Sequence, residues 1–380
     1  MDRFDDKELK AVEEVLLTGE LSRFFANFRG GKYVQLFEQE FASYIGSKHA
    51  ISVSNGTVSL EIALLAMGIK HGHEIITTPL SFVSTGTAIL RVGAKPVFVD
   101  VEHDTLNIDP DLIEQAITKR TRIILPVSLN GFPVKMSAIN EIAKKHALLV
   151  LEDAAQALGA SIGGRKIGTI GHVGSFSFQE SKTITTAGEG GMIVTDDDAI
   201  ADRVMHIRNH GNVYGTMSDV VCTNARLTEM QAAFGLIQLH KLDFFNKIHK
   251  QNAEYFLKHL KPPFYSVWKN LKAWHTRRYR LSHYLIPVVA PDINREHFLR
   301  FCQETGLSKG VVGQNIGYWR KLITDVPIFK RYDNGPFPNA EWARDNVYLF
   351  DIHRWNKNKR DMQKALHRLN SYKDAEINKE

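Results

Sequence analysis

The sequence of 380 residues contains only two cysteines, Cys222 and Cys302. Two thiols are too few for the disulfide framework that stabilises small secreted proteins, and they do not form a metal-ligand pattern. We therefore expect two ordinary thiols, buried or half-buried, in a protein of the reducing cytoplasm.

Long apolar runs are also absent. No window of about 18 uninterrupted apolar residues occurs, and the first ten residues, MDRFDDKELK, are charged where a signal peptide would have an apolar segment. These absences predict a protein that is neither exported nor inserted into a membrane. Because 43% of the residues are hydrophobic and 24% are charged, the composition is that of a globular protein with a large core.

Signals for nucleic-acid, nicotinamide and metal binding are missing as well. The formal net charge of +6 is modest, and the basic residues are scattered except in WHTRRYRLSHY at 274–284. No nucleic-acid-binding signature accompanies that segment, so we interpret it as a solvated strand or hairpin face, or as a site for a small anion. No G-x-G-x-x-G follows the first strand-like run, and no third metal ligand is evident beside His71 and His73.

Strand-like apolar runs alternate with helix-like segments through the first 240 residues. The runs are short and rich in β-forming residues, and they lie at 74–78, 95–101, 122–129, 147–153, 173–178 and 191–195. Amphipathic stretches such as TVSLEIALLAMG and KMSAINEIAKKH separate several of them. This alternation predicts an α/β fold with a large, mostly parallel sheet over residues 1–245. The changed pattern that follows predicts a smaller C-terminal α+β domain over residues 246–380.

The break between the strand-like AISVS and the next helix is the first candidate site. It consists of Asn55, Gly56 and Thr57. Unpaired N–H groups at a helix N-terminus attract phosphate, and a glycine permits close approach of the ligand. The alternative is a capped helix start that binds no ligand.

The end of the apolar run LLVLED is the second candidate. It places Glu152 and Asp153 at the carboxyl end of a predicted strand, with Gln156 one helical turn later. Open α/β sheets bind ligands at this end of their parallel strands. A carboxylate there can keep the ring nitrogen of a heteroaromatic cofactor protonated, or it can simply cap a helix.

Lys182 is the third candidate. It follows the strand-like GSFSF and precedes a loop rich in threonine and glycine. Desolvation in such a place lowers the pKa of an amine and frees its lone pair for attack on a carbonyl, although most lysines are simply exposed on a protein surface. Together, a phosphate site, a strand-end carboxylate and a loop lysine are the minimum set for pyridoxal phosphate.

Seven motifs at fitting spacing resemble the sugar aminotransferases of the DegT/DnrJ/EryC1/StrS family. In order, they are SNGTVSLEIAL, EIITTPLSFVSTGTAIL, AKPVFVDVEHDTLNIDP, LEDAAQALGA, GSFSFQESKTITTAGEGGMIVTDD, RNHG and NARLTEMQAAFGLIQL. The resemblance extends over residues 27–245. It implies an aspartate-aminotransferase-like architecture (fold type I of the pyridoxal-phosphate enzymes), a homodimer, and pyridoxal 5'-phosphate as the cofactor.

The resemblance also implies roles for individual residues. Lys182 matches the lysine that forms the Schiff base, and Asp153 matches the partner of the pyridinium nitrogen. Gln156 matches the residue near the ring hydroxyl, and Phe82 the aromatic residue stacked on the ring. The phosphate ligands correspond to Gly56, Thr57 and Ser177, with Asn224 reaching the phosphate of the neighbouring subunit. In the alternative interpretation, Asn224 caps the helix that follows it.

The implied reaction is transfer of an amino group from glutamate or glutamine to a keto sugar, either nucleotide-linked or acidic. The product would be an amino sugar for lipopolysaccharide, another surface polysaccharide or a secondary metabolite. Some family members are dehydratases with histidine in place of the lysine, and Lys182 argues against that activity. A non-catalytic regulatory protein with the same fold is the other alternative. Glu189 in GEGG is interpreted as a turn residue or as an additional catalytic group.

Overall fold

The computed structural model describes residues 2–24, 28–211, 220–268, 278–290, 293–307, 311–312, 321–351 and 359–372. Residues 274–277 of the arginine-rich segment lie outside these ranges. The helices of the described part are α1 (Asp6–Thr18), α2 (Lys32–Ile45), α3 (Gly56–Ala66), α4 (Ser84–Arg91), α5 (Met136–Lys145), α6 (Asp198–Arg208), α7 (Glu229–His259), α8 (Arg295–Glu304), α9 (Pro338–Asn346) and α10 (Lys359–Asn370).

The strands of the same ranges form three sheets. They are β1 (His49–Val53), β2 (Glu74–Thr77), β3 (Lys95–Phe98), β4 (Thr121–Ile124), β5 (Leu149–Asp153), β6 (Ser161–Ile162), β7 (Arg165–Lys166), β8 (Val173–Ser177), β9 (Gly191–Thr195), β10 (Tyr265–Ser266), β11 (Tyr279–Arg280), β12 (Ile286–Val289), β13 (Val311–Val312) and β14 (Val347–Phe350). Each of the six predicted apolar runs overlaps one strand of the largest sheet.

The largest sheet has seven strands in the order β1-β9-β8-β5-β4-β2-β3. From β3 to β8 every neighbouring pair is parallel, whereas β9 runs antiparallel to both β8 and β1. Every residue of β2 and β9 is buried. Strands covered on both faces are continuous apolar runs in sequence, which is why the runs could be recognised. The predicted mostly parallel α/β sheet is confirmed.

Helices α3 and α5 bury the faces that their apolar spacing predicts. In α3 the side chains of Leu60, Ala63 and Leu64 are buried, and in α5 those of Met136 and Ile139 are buried. Because α3 follows β1 directly, its first turn lies at the edge of the sheet where the parallel strands end.

A second sheet of four antiparallel strands, in the order β10-β12-β14-β13, is formed entirely by residues after 264. Its core contains Phe256 of α7, Phe298 of α8 and Phe350 of β14. The predicted boundary at residue 245 falls inside α7, and the division into two domains at that point stays a prediction.

The start of α7 has a different cap from the one considered in sequence. The hydroxyl of Thr228 accepts a hydrogen bond from the N–H of Gln231 at 3.3 Å, which closes a capping box. The alternative in which Asn224 caps this helix is therefore wrong, because Asn224 lies four residues before the cap. The carboxylate of Glu229 accepts hydrogen bonds from the N–H groups of Gly31 and Tyr33 and so anchors the first turn of α2.

Within the described ranges, no helix combines the length and the apolar character needed to span a bilayer. No three His, Cys, Asp or Glu side chains in those ranges are grouped as a metal site. Cys222 is half-buried and Cys302 is buried, both as free thiols, and burial raises the pKa of Cys302 to about 12.

Candidate active site

Seven of the eight predicted site residues line one cavity of about 680 Å³. It opens where β5 and β8 end and where α3 begins. Its lining includes the predicted Gly56, Thr57, Phe82, Asp153, Gln156, Ser177 and Lys182, together with Asn55, Ser81, Glu189 and Tyr284. The topology therefore brings together three sequence motifs that lie at residues 55–57, 153–156 and 182.

The first turn of α3 forms one wall of the cavity. The side chain of Asn55 accepts the N–H of Val58 at 2.9 Å, and the carbonyl of Asn55 accepts the N–H of Ser59 at 3.0 Å. The N–H groups of Gly56 and Thr57 have no intrahelical acceptor at this position of a helix, so they are available to an anion. A Cβ atom added to Gly56 would lie 2.6 Å from the Cβ of Ser177, so only glycine fits here without movement. This wall suits a phosphate group.

Asp153 ends β5 and is 5% exposed. One carboxylate oxygen accepts a hydrogen bond from the hydroxyl of Thr85 at 3.0 Å, and the other accepts the N–H of Ala155 at 3.2 Å. Burial raises the pKa of Asp153, while these hydrogen bonds and the positive charge of Lys182 act in the opposite direction. An ionised carboxylate in this place is stabilised further by any cation that enters the cavity.

Gln156 has a fixed orientation. Its Oε1 accepts the backbone N–H of Asn130 at 2.9 Å, so its amide nitrogen is the donor left for a ligand. Asn130 adopts the left-handed conformation, with a φ of 57°, and is fully buried. An amide donor beside the cavity suits an anionic oxygen such as a ring hydroxyl that has lost its proton.

Lys182 lies in the turn that follows β8. Its N–H donates to the carbonyl of Gln179 at 2.8 Å, and its amine lies 4.8 Å from the centroid of the Tyr284 ring. The hydroxyls of Tyr284 and Ser181 are 3.2 Å apart. Burial raises the pKa of Tyr284 to about 12, so its phenol is neutral at physiological pH. The aromatic face next to the amine favours a positive charge there.

Tyr284 and Thr85 are the residues that the sequence analysis missed. The segment 274–284 was interpreted as solvated surface or as an anion site, but Ser282, His283 and Tyr284 are buried, and Tyr284 lines the cavity. Its final residues directly precede the buried strand β12, and that apolar continuation was the available signal. Thr85 had no comparable signal, because its contact with Asp153 joins residues 68 positions apart.

Phe82 and Glu189 lie on the lining of the cavity but are less enclosed. Phe82 is 41% exposed, as suits a side chain at the rim. Burial and the nearby charge of Glu180 raise the pKa of Glu189, and Lys182 opposes this. Both interpretations of Glu189, as a turn residue or as a catalytic group, stay open.

Asn224 does not line the cavity of its own chain. Its neighbours are held by the RNHG motif, because Ala225 donates its N–H to the carbonyl of Arg208 at 3.0 Å and Thr223 accepts the N–H of His210 at 3.0 Å. The Asn224 side chain is exposed. Its predicted role concerns a second subunit and stays a prediction.

Comparisons with known proteins show which family and which fold this chain shares. The profile of the DegT/DnrJ/EryC1/StrS aminotransferase family matches residues 3–365. The erythromycin biosynthesis sensory transduction protein EryC1 of Saccharopolyspora erythraea is 37% identical over 324 residues, which cover 84% of each chain. An aminotransferase of Psychrobacter cryohalolentis has a TM-score of 0.84 at 30% identity over 96% of both chains. A GDP-4-keto-6-deoxymannose-3-dehydratase with a trapped PLP-glutamate geminal diamine has a TM-score of 0.82 at 27% identity, over 97% of this chain and 98% of its own.

The cavity fits the cofactor that the sequence predicts. Pyridoxal phosphate carries a dianionic phosphate, a ring nitrogen that works best protonated, and an aldehyde that bonds to an amine. For the phosphate, the cavity offers the N-terminus of α3 at Gly56, where a larger side chain would not fit. For the ring nitrogen it offers the buried carboxylate of Asp153, whose ionised form is stabilised by a neighbouring positive charge. For the aldehyde it offers the amine of Lys182 on the turn after β8.

Proposed function

The chain belongs to the DegT/DnrJ/EryC1/StrS aminotransferase family, and from this premise we propose that it transfers an amino group from glutamate or glutamine to a keto sugar. The family comprises PLP-dependent sugar aminotransferases and dehydratases. Fold type I and pyridoxal 5'-phosphate, both predicted from the sequence, are confirmed by the structural relatives.

One observation carries the proposal. Lys182 and Asp153, which lie 29 positions apart, line the same cavity and interact electrostatically. An amine that can bond to the cofactor and a carboxylate that can hold its ring nitrogen are the two groups that transamination requires from the protein. Lys182 also supports an aminotransferase, because the family resemblance implies histidine at this position in dehydratases.

The residues divide the work as follows. The bound cofactor supplies an electron sink for the electrons released when a C–H bond of the amino donor is broken. Asp153 holds the ring nitrogen in its protonated form, and Thr85 and the N–H of Ala155 hold Asp153 in place. With the cofactor bound, the amine of Lys182 would act as general base and acid: it would accept the proton from the α-carbon of the donor and deliver it within the same half-reaction. In the second half-reaction it would perform the reverse transfer and place a proton on the carbon that receives the amino group.

The other lining residues bind and orient. Gly56, Thr57 and Ser177 hold the phosphate, Gln156 donates to the ring oxygen, and Phe82 covers the ring face. We propose that Asn224 completes the phosphate site of a second chain, so that a homodimer is the active form. The keto sugar would be nucleotide-linked or acidic, and the product would enter a surface polysaccharide or a secondary metabolite. The name of EryC1, an erythromycin biosynthesis protein, supports the second of these destinations.

The first test is chemical. Reduction of the purified protein with borohydride is expected to fix the cofactor on the peptide that contains Lys182, whereas Lys182→Ala is expected to bind cofactor without fixation. Fixation on another lysine, or a protein that binds no cofactor, would overturn the assignment of the site.

The second test identifies the reaction. The protein is mixed with glutamate or glutamine and then with a panel of nucleotide-linked and acidic keto sugars, while absorbance follows the amine form of the cofactor. A substrate is expected to consume that form and to yield one amino sugar per cofactor. A deoxygenated keto sugar without an amino group would identify a dehydratase, and absence of any cofactor conversion by the whole panel would favour a regulatory protein.

A further inference from the structure

The loop that carries Lys182 is held by a residue at the other end of the sequence. The guanidinium of Arg3 donates a hydrogen bond to the carbonyl of Lys182 at 2.9 Å, and the same Nη2 also donates to the carbonyl of Glu180. These two carbonyls lie on either side of Ser181, so the side chain of Arg3 holds the backbone of residues 180–182, which carries the reactive lysine. Hydrogen bonds from a charged donor are about twice as strong as neutral ones.

Arg3 is itself anchored at its backbone. Its carbonyl accepts a hydrogen bond from Nε2 of Gln238 at 2.7 Å, and Gln238 also donates to Glu8 at 2.6 Å. The amine of Lys241 is 2.5 Å from the same Glu8 carboxylate. All three of these α1 and α7 side chains are buried, so the N-terminal segment is docked on α7 by a buried polar network. The ring of Phe4 packs 5.7 Å from that of Phe234 and adds an apolar contact.

Charged and ionisable groups from other parts of the chain influence the guanidinium of Arg3. Burial lowers the pKa of Arg3, while Asp351 at the end of β14, Tyr284 and Glu180 raise it. An arginine stays protonated under such influences. The positive charge of Arg3 therefore interacts electrostatically with the carboxylate of Asp351, which follows β14, in addition to its hydrogen bonds with the lysine loop.

We propose that Arg3 is a positioning residue, which acts through the carbonyls of Glu180 and Lys182 to hold the Lys182 amine over Tyr284. The inference rests on the proposed function only for its catalytic consequence, because the contacts of Arg3 are with groups of the protein chain. A misplacement of about 1 Å in a reacting group can reduce turnover about a hundredfold. Loss of the guanidinium is expected to have that kind of effect without removing any group that touches the substrate.

The experiment compares Arg3→Ala, Arg3→Lys and Lys7→Ala with the unchanged protein. Lys7 is exposed on the same segment, so its replacement removes the same charge without touching the loop. Two measurements are made on cofactor-free protein: deuterium uptake by the peptide 179–188, and the rate at which acetic anhydride labels Lys182 as a function of pH. A third measurement gives kcat and KM of the loaded enzyme.

Arg3→Ala is expected to raise deuterium uptake by 179–188 and to change the labelling rate of Lys182 at least threefold. Its kcat is expected to fall about 10- to 100-fold, with KM for the amino donor nearly constant. Arg3→Lys retains the positive charge and N–H donors but lacks the planar guanidinium with its fixed donor geometry, so it is expected to recover part of each effect. Lys7→Ala is expected to match the unchanged protein.

Unaltered exchange and labelling in Arg3→Ala would overturn the proposal, as would equal changes in Lys7→Ala. If Arg3→Ala does not fold, Arg3→Lys decides by the same measurements. A wild-type protein that does not bind cofactor through Lys182 would instead refute the proposed function, and the two cofactor-free measurements would still decide the role of Arg3.

Discussion

Gly56 and Ser177 approach each other so closely that a Cβ atom on Gly56 would lie 2.6 Å from the Cβ of Ser177 and 3.0 Å from its hydroxyl. The two residues come from α3 and β8 and form the wall assigned to the phosphate. α3 can approach β8 this closely because Gly56 has no side chain.

Gly56→Ala is expected to push α3 away from β8 and to lower the affinity for pyridoxal phosphate at least tenfold, because the amides at the helix start and the Ser177 hydroxyl no longer converge. Titration of cofactor-free protein, followed by absorbance, measures this. The double variant Gly56→Ala with Ser177→Gly removes the obstructing Cβ and is expected to bind more tightly than Gly56→Ala alone. Unchanged affinity in Gly56→Ala would show that the phosphate binds elsewhere.

Asp153 and Glu152 are adjacent buried carboxylates with different expected functions. Asp153→Asn preserves the shape but removes the charge beside the ring nitrogen, so kcat is expected to fall by several orders of magnitude while the cofactor stays bound. Glu152 faces away from the cavity and accepts hydrogen bonds from the N–H groups of Gly168, Ile170 and Gly171.

Glu152→Gln is therefore the matched control for Asp153→Asn. Its amide group can no longer accept all three N–H groups, so it is expected to lower the free energy of unfolding by about 1–3 kcal/mol with kcat per folded molecule nearly unchanged. Denaturant unfolding and steady-state kinetics on both variants separate the two roles. Near-normal turnover in Asp153→Asn would identify Asp153 as a structural cap.

The sequence predicted the sheet well because its strands are buried on both faces, so each strand is an apolar run that needs no long-range information. The cavity was predicted by motifs that lie directly at strand ends. What could not be predicted are contacts between distant segments: Tyr284 reaches Ser181 across 103 positions and Arg3 reaches Lys182 across 179. Only the packing of the folded chain brings such pairs together. The apolar strand after Tyr284 indicates that this residue is buried, but no local pattern identifies the partner of either residue.

Tyr284 gives a prediction about pH. Because burial raises its pKa from 10 to about 12, the folded protein holds the phenolic proton more tightly than the unfolded chain does. This pKa difference adds to the free energy of unfolding. The contribution is fully present below about pH 10 and is lost as the pH rises towards 12.

Tyr284→Phe is expected to remove that alkaline loss and to leave the pH dependence of kcat unchanged below pH 10, since the phenol is neutral there. Tyr284→Ala, which also removes the ring beside the Lys182 amine, is expected to reduce kcat markedly. Unfolding at pH 8 to 12 and pH–rate profiles test both variants. A tyrosine titrating near pH 10 that disappears in Tyr284→Phe would contradict the assignment.

Asn224 provides the test of a site shared between subunits. Its side chain is exposed in its own chain and does not line that chain's cavity, while Thr228 caps α7. Asn224→Ala is therefore expected to leave the free energy of unfolding within about 0.5 kcal/mol, because no helix cap is lost. If Asn224 donates to the phosphate of a second chain, the same variant binds cofactor more weakly although the dimer persists.

Mixing inactive Lys182→Ala chains with impaired Asn224→Asp chains is then expected to restore activity, because one site of each mixed dimer receives both intact residues. Activity, cofactor content and verified exchange of subunits are measured together, with each variant incubated alone as the control. Complete exchange without recovery of activity would show that each subunit binds its cofactor with its own residues.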